Sequence, residues 1–337
     1  MPSAVRGKVH NLVIAPQVYN KFPNGYSVFQ VEQFTSARWL SVDYIQILSQ
    51  SEYVLDYSMH NLKVMRDLGL DERRLFYCPI GIKDKDQAAQ DWGARDIDFL
   101  FYGDPSSPRR KKILDQLSKH MPITICSEVF GEELETHLMR AKYVLNIHYY
   151  EKALLETTRI CQSLSMGARV LTESSINDEE YCDLFNNRLV RLDLAHKDSH
   201  ETLKQILNNP EWLEGYRRTE KTQGTSSGIG NCHSRDALQA YYIARFLLEA
   251  NQISYEWFRQ VALGSIDPDS FKMGIVLTLP ESSRYTEAKL LGERLGLSLF
   301  HGAKYNPGWR GCALSYKLIG EACKSLNICL LYTSDAA

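Results

Sequence analysis

Residues Tyr143 to Glu173 read YVLNIHYYEKALLETTRICQSLSMGARVLTE, and the periodicity inside them decides the fold class. The runs Tyr143-Val144-Leu145-Asn146-Ile147 and Ala168-Arg169-Val170-Leu171-Thr172 have strand length and β-rich composition. Between them Leu154, Leu155, Ile160, Cys161 and Leu164 recur at helical spacing as far as Met166, and Gly167 supplies the stop. The stretch therefore predicts strand, helix, strand. His148 falls where the first strand ends, and Glu156, Arg159 and Ser163 follow at spacings of three and four, on one side of the predicted helix. In open α/β sheets ligands bind beyond the carboxyl ends of the strands, where helix N-termini offer N–H groups to anions. These polar residues stand where a bound phosphate would sit. The same spacing also suits a solvated Glu156–Arg159 ion pair and a histidine that merely ends a strand.

Outward from this stretch the alternation continues. Upstream, His10 to Ala15, Val28 to Gln33, Tyr53 to Ser58 and Leu75 to Gly81 read as strands, with helices predicted over Val42 to Ser51 and Asn61 to Leu68. Glu32 and Asp56 fall at the carboxyl ends of two of these strands. Ile82 to Arg95 is polar and weakly periodic, a linker between domains. Asp96 to Tyr102 restarts a strand that Gly103 ends, and Arg109-Arg110-Lys111-Lys112 opens the next helix. Four cations at a helix N-terminus oppose its dipole unless something negative sits there; a phosphate-bearing ligand meets that need, and a solvated basic face is the plainer alternative. Downstream, Asn177 to Phe185 reads as a helix, Arg188 to Leu194 as a strand, Thr222 to Gly230 as a Gly/Ser/Thr-rich break and Asp236 to Leu263 as one long helix. Beyond a boundary at Ser265 to Asp269, Ile275 to Leu279 and Leu297 to Phe300 are strands flanking a helix over Tyr285 to Leu295. The expected class is α/β: two Rossmann-like parallel-sheet domains, a short one over 1–85 and a fuller one over 96–263 with its closing helices, then a truncated α/β segment over 271–328. Residues 329–337 have the look of a non-native tail.

Composition narrows the function. Lys plus Arg number 39 against 41 for Asp plus Glu, a net charge of −2, so no general attraction to nucleic acid or to an anionic membrane is expected and any anion site must be local. No apolar run reaches the roughly 18 to 20 residues of a transmembrane helix, and the N-terminal residues lack the apolar core of a signal peptide; a cytoplasmic protein is expected. The eight cysteines are scattered without a C-x-x-C pair or a Cys/His cluster at zinc spacing, which reads as buried thiols and no metal site.

The pattern Val144-Leu145-Asn146-Ile147-His148-Tyr149-Tyr150, then Glu156 and Arg159, then Gly167-Ala168-Arg169-Val170-Leu171-Thr172-Glu173 resembles the second domain of bacterial glycosyltransferases of the two-Rossmann GT-B type, group-1 superfamily. Phe99-Leu100-Phe101-Tyr102-Gly103 with Arg109 and Arg110 resembles the strand and helix that open that domain. The resemblance implies a nucleotide-diphosphate sugar as donor substrate, bound mainly by the second domain, a glycan acceptor bound mainly by the first, and no cofactor or metal. It places Gly103, Arg109, Arg110, Glu156, Arg159 and Glu173 at the donor, with His148 near the sugar or its phosphate. Where many relatives carry a ribose-gripping Glu, this chain has Gln162, which keeps one acceptor but not the charge. A base for the acceptor hydroxyl is sought among Glu32, Asp56 and His148. The tail from Ile275, with Pro307-Gly308-Trp309-Arg310-Gly311-Cys312-Ala313-Leu314-Ser315-Tyr316, resembles the start of a family-25, lipopolysaccharide-type glycosyltransferase, with Tyr316 in place of the usual His. The resulting expectation is a glycosyltransferase; the alternative is a non-catalytic nucleotide-sugar-binding or scaffold module that keeps the fold without turnover.

Overall fold

Short apolar runs punctuated by Gly, Pro and polar turns become parallel strands, as seen in a computed structural model that describes residues 10–82, 92–185, 189–209, 233 and 235–328. The chain divides into two units, Met1–Pro79 with Ser227–Ala337, and Ile80–Ser226. The expected break over Thr222 to Gly230 and the tail over 329–337 lie outside the described residues, as does most of the linker.

In the first unit β1 (Asn11–Ile14), β2 (Tyr26–Gln30), β3 (Val54–Asp56) and β4 (Leu75–Tyr77) form a four-stranded parallel sheet in that order. Helices α1 (Val42–Gln50) and α2 (Met59–Asp67) start where Ser41 and Ser58 accept backbone N–H bonds at their caps, and Gly69 beyond α2 takes the left-handed conformation that glycine allows cheaply.

The second unit holds β5 (Ile97–Tyr102), β6 (Thr124–Cys126), β7 (Ala141–Asn146), β8 (Arg169–Thr172) and β9 (Leu189–Arg191), all parallel, in the spatial order β6-β5-β7-β8-β9. Counted within the unit this is 2-1-3-4-5, the order of one class of doubly wound sheet, whose topological switch point lies between the first and third strands. Here those are β5 and β7. Phe99, Phe101, Tyr143, Leu145, Leu171 and Val190 make the core with residues of α3 (Pro108–Ser118) and, further along, of the helix Ser199–Asn208. Helix α4 (Gly131–Arg140) joins β6 to β7, and α5 (Thr157–Ser165) joins β7 to β8. Helix α5 is shorter than the apolar spacing predicts. Ala153, Leu154 and Leu155 are buried ahead of it in non-helical chain, the Leu155 N–H donates to Asn177 Oδ1 at 2.7 Å, and Glu156 occupies the N-cap position.

The expected single helix over Asp236 to Leu263 is two, Arg235–Glu249 and Tyr255–Ser265, parted where Asn251 adopts a φ of 53° and Ser254 caps the second. Both belong to the unit that contains β1 to β4, not to the unit of β5 to β9. Residues 271–328, read from sequence as a segment of their own, share that core too. Strands β10 (Ile275–Thr278) and β11 (Ser298–His301) pair in parallel, and a two-stranded sheet cannot bury its faces alone. Phe271, Phe300, Leu318 and Cys323 therefore pack in one cluster with Val28, Leu55, Phe76, Tyr242 and Phe246. Among the described cysteines Cys78, Cys126, Cys161 and Cys323 are buried free thiols, whereas Cys312 is exposed.

Polar side chains complete the join. β4 is an edge strand, and its backbone is satisfied from the later segment: Glu281 accepts from the Tyr77 N–H at 2.8 Å, and the Lys304 ammonium donates to the Leu75 carbonyl and, at 2.8 Å, to that of Glu72. Glu281 also receives Arg245 through two bonds of 3.1 and 3.0 Å, a pair with essentially no solvent exposure. Glu281→Ala strands Arg245 in the interior and is expected to cost about 3–5 kcal/mol in urea denaturation. Burial pulls the Lys304 ammonium down from 10.5 to about 8. The folded state thus disfavours its charge, and this penalty is present below pH 8 and relieved as pH rises toward 10.5. Lys304→Met is expected to flatten that rise in stability, measured by denaturation at pH 8 and pH 9.5.

Candidate functional site

The carboxyl ends of β5 and β7 meet at the switch point, and the loops that leave them carry most of the polar residues of the second unit. Gly103 follows β5 with a φ of 114°, and a Cβ built there would stand 2.7 Å from Arg159 Nη2. The positive φ favours glycine, and a Cβ there would push the guanidinium aside. Arg159 in turn pairs with the Glu156 carboxylate, donates to Asn146 Oδ1 at 3.3 Å, and lies over the Tyr102 ring at 5.4 Å. Asn146 is the last residue of β7 and is held by its Nδ2 bond to Thr172 Oγ1 at 2.9 Å.

The basic start of α3 is answered by the protein's own carboxylates. Ser107 caps the helix and Pro108 occupies its first turn, which turns Arg109 and Arg110 in different directions. Arg109 meets Glu173 in a two-pronged pair, one arm at 2.7 Å, and also donates to the His148 carbonyl at 3.1 Å. Arg110, 3% exposed, donates to the Ile147 carbonyl at 2.8 Å, to the Asp104 carbonyl at 2.9 Å and to Glu156 at 2.9 and 3.2 Å. Burial lowers the proton affinity of Arg110 while Glu156 raises it; hydrogen bonding to Glu173 raises that of Arg109. Three arginines pair directly with two glutamates, while Glu151 and Asp193 act on Arg109, and Asp104 on Arg110, from further off. Lys111 and Lys112 face solvent.

His148 is 3% exposed and sits just past β7. Its N–H donates to Glu173 Oε2 at 2.9 Å, its Nε2 lies 3.0 Å from Ser175 Oγ, and its Nδ1 is buried with no protein partner. Thr157 Oγ1, at the start of α5, and Asn177 Nδ2, beyond the end of β8, are likewise buried without a partner. Gln162 lies one turn along α5, its Oε1 3.5 Å from the Tyr102 hydroxyl, which also donates to the Arg159 carbonyl at 2.8 Å. Burial pushes the Tyr102 phenol up to about 12, so it stays a neutral donor.

The structure thus brings Gly103, Arg109, Arg110, His148, Glu156, Arg159, Gln162 and Glu173 to one edge of one sheet. Glu32 and Asp56 belong to the first unit. Asp56 has no solvent exposure, and its carboxylate accepts from Gln30 Nε2 at 2.7 Å, from the Ser58 N–H at 2.7 Å and from Asn61 Nδ2 at 3.1 Å. That burial makes it a positioning residue and takes it out of reach of a substrate. Sequence reasoning missed Asn146, Ser175 and Asn177; Asn146 alone carried a signal, an amide closing an otherwise apolar strand. Among the described residues no group of three or more His, Cys, Asp and Glu is arranged to hold a metal ion.

Neither family models nor curated proteins give a match to this chain.

Arg110→Ala leaves Glu156 short of one cation and two carbonyls short of a donor, an expected loss of about 3–5 kcal/mol, whereas the exposed Lys111→Ala is expected to stay within about 0.5 kcal/mol. Gly103→Ala, strained at its φ and driven against Arg159, is expected to cost about 1–3 kcal/mol. Urea denaturation of the three variants checks the ranking.

Proposed function

We propose that the second unit binds a nucleotide-diphosphate sugar at the carboxyl ends of β5 and β7 and that the chain is a glycosyltransferase of the GT-B type, transferring the sugar to a glycan acceptor. One observation carries the reading: Arg159 lies against a glycine at a topological switch point, where it shares one carboxylate, Glu156, with a second arginine. A diphosphate suits that place because Arg donates in a planar fork to phosphate oxygens. The absence of a Cβ at Gly103 lets the Arg159 guanidinium lie close against the turn that ends β5. The motif order along the sequence points the same way.

The chemistry asked of these residues is modest and electrostatic. As the bond between the anomeric carbon and the diphosphate breaks, negative charge grows on the leaving phosphate, and a fixed guanidinium at that position stabilises it without reorganising. Glu156 holds Arg159 in place, and Arg110 holds Glu156. His148, buried and anchored through Ser175, serves in this reading to shape the loop after β7. A second reading, a module that binds nucleotide sugar without turnover, is favoured by Gln162, whose neutral amide replaces the expected carboxylate beside Tyr102. Among the described residues no helix is long and apolar enough to cross a membrane.

Titration calorimetry with UDP, GDP and their sugars tests both. Binding of at least one is expected, and no binding by the folded protein sinks the proposal. Arg159→Ala should weaken binding at least about 10-fold, the loss of one charged hydrogen bond, with the fold intact because Arg110 still pairs with Glu156. Binding without product, restored to turnover by Gln162→Glu, selects the second reading.

A further inference from the structure

The first unit buries two histidines where residues 271–328 join its core, well apart from the charge group of the second unit. His301 ends β11 and is 4% exposed; its Nδ1 is bonded to the Tyr242 hydroxyl, its carbonyl accepts from the Tyr241 hydroxyl, and its ring stands edge-on to Tyr285 at 5.6 Å. His233, 5% exposed, lies flat on the Tyr241 ring at 3.8 Å, with its Nδ1 2.8 Å from Ser265 Oγ. Arg245 is fully buried on the same helix as both tyrosines and donates to the Gly302 carbonyl at 2.8 Å as well as to Glu281. Among the described residues the ionisable groups around the two imidazoles are thus Tyr241, Tyr242 and Arg245 of the helix Arg235–Glu249, Tyr285 at the start of the helix Tyr285–Leu295, and Glu281 of the loop after β10, paired to Arg245. That carboxylate is already taken by Arg245 and is also felt by Lys304. A proton on either imidazole therefore sets a further cation beside a buried guanidinium, away from water. Such a charge is costly, and parting the elements that enclose it lowers the cost.

We propose that His301 and His233 form an acid-opened latch: proton uptake beside Arg245 frees β10, β11 and the loop that carries Lys304 from the core they share with β1 to β4. Opening withdraws Glu281 from the Tyr77 N–H and Lys304 from the Leu75 and Glu72 carbonyls, and so bares the β4 edge. Burial above all lowers the proton affinity of both imidazoles; the His301 ring then lowers that of His233, Arg245 lowers both, and a hydrogen bond to the His301 backbone opposes this at His233. The open state accordingly binds more protons than the closed one below the ordinary histidine value of 6.5. The latch weakens as pH falls through that value, by about tenfold per pH unit for each histidine, and is unaffected by these two groups above it. Glu281, although burial opposes its charge, is held below the ordinary range by Arg245, and Lys304 titrates at about 8, so neither drives a change between pH 7 and pH 5.

The test is hydrogen–deuterium exchange of the full chain at about pH 7 and pH 5, corrected for the intrinsic pH dependence of amide exchange and followed in β4 and β11, with β5 and β7 as the internal reference. Acidification is expected to raise the opening constant of β4 and β11 at least about 10-fold for each histidine, roughly 100-fold for the pair, and that of β5 and β7 by less than about threefold. The double variant His301→Asn with His233→Asn, which keeps polar side chains but takes up no proton, is expected to lose the rise. No rise in the wild type, an equal rise in β5 and β7, or a rise that survives in the double variant overturns the proposal. Should the double variant fail to fold, proton NMR of the wild type decides, with the two imidazoles identified by their contacts to the Tyr241 and Tyr242 rings. Both staying neutral until β11 loses protection supports the latch, and either one taking up a proton while β11 is still protected overturns it.

Discussion

A buried guanidinium holds the second unit's open end together. Arg110 reaches the Ile147 carbonyl just past β7, the Asp104 carbonyl in the turn after β5 and the Glu156 carboxylate at the cap of α5. Those partners lie on the two connections that leave β5 and β7, beyond the ends of the strands. One planar fork with several donors joins them, and lysine, a point charge, would not. Once Arg110 has fixed Glu156, Glu156 fixes Arg159, and Arg159 requires the glycine at position 103. The geometry of the whole edge follows from a cation that the fold has taken out of water and has had to satisfy completely.

The same logic appears in the first unit with the sign reversed. There the central buried ion is a carboxylate, Asp56, surrounded by amide and backbone donors, and it sets the loop that carries Glu32. A second buried pair, Arg245 with Glu281, closes the β4 edge. Gln30 with Asp56, and Arg245 with Glu281, come from distant stretches of the chain, so these buried polar contacts define tertiary position that apolar packing alone leaves loose.

That distance explains what was legible in the sequence. Strands β5, β7 and β8 could be read directly, because buried parallel strands are continuous apolar runs and their ends are marked by Gly103, His148 and Glu173. The clustering of His148, Glu156 and Arg159 was legible from spacing. The pairing of Arg109 with Glu173 and of Arg110 with Glu156 was not, since side-chain partners 64 and 46 residues apart leave no periodic trace. The four-cation helix start read as a demand for a bound anion, and the fold meets it largely with its own glutamates. The start of α5 was misplaced because Leu154 and Leu155 continue the helical spacing of Ile160, Cys161 and Leu164 but are buried in non-helical chain. The long-range packing of residues 271–328 was hidden for the same reason: Glu281 and Lys304 look like surface charges until the β4 edge is beside them.

These internal pairings also constrain how an anion would bind. Arg109 and Arg110 are already bonded to carboxylates, so a phosphate that displaced either glutamate would have to offset the desolvation of the glutamate left behind. Arg159 is different. It shares Glu156 with Arg110, and its Nη2 faces the one residue at the edge without a side chain. A ligand that approaches over Gly103 gains a charged contact without breaking a pair. Glu156 and Glu173 are therefore better understood as the frame that aims the arginines than as groups that themselves compete for the ligand.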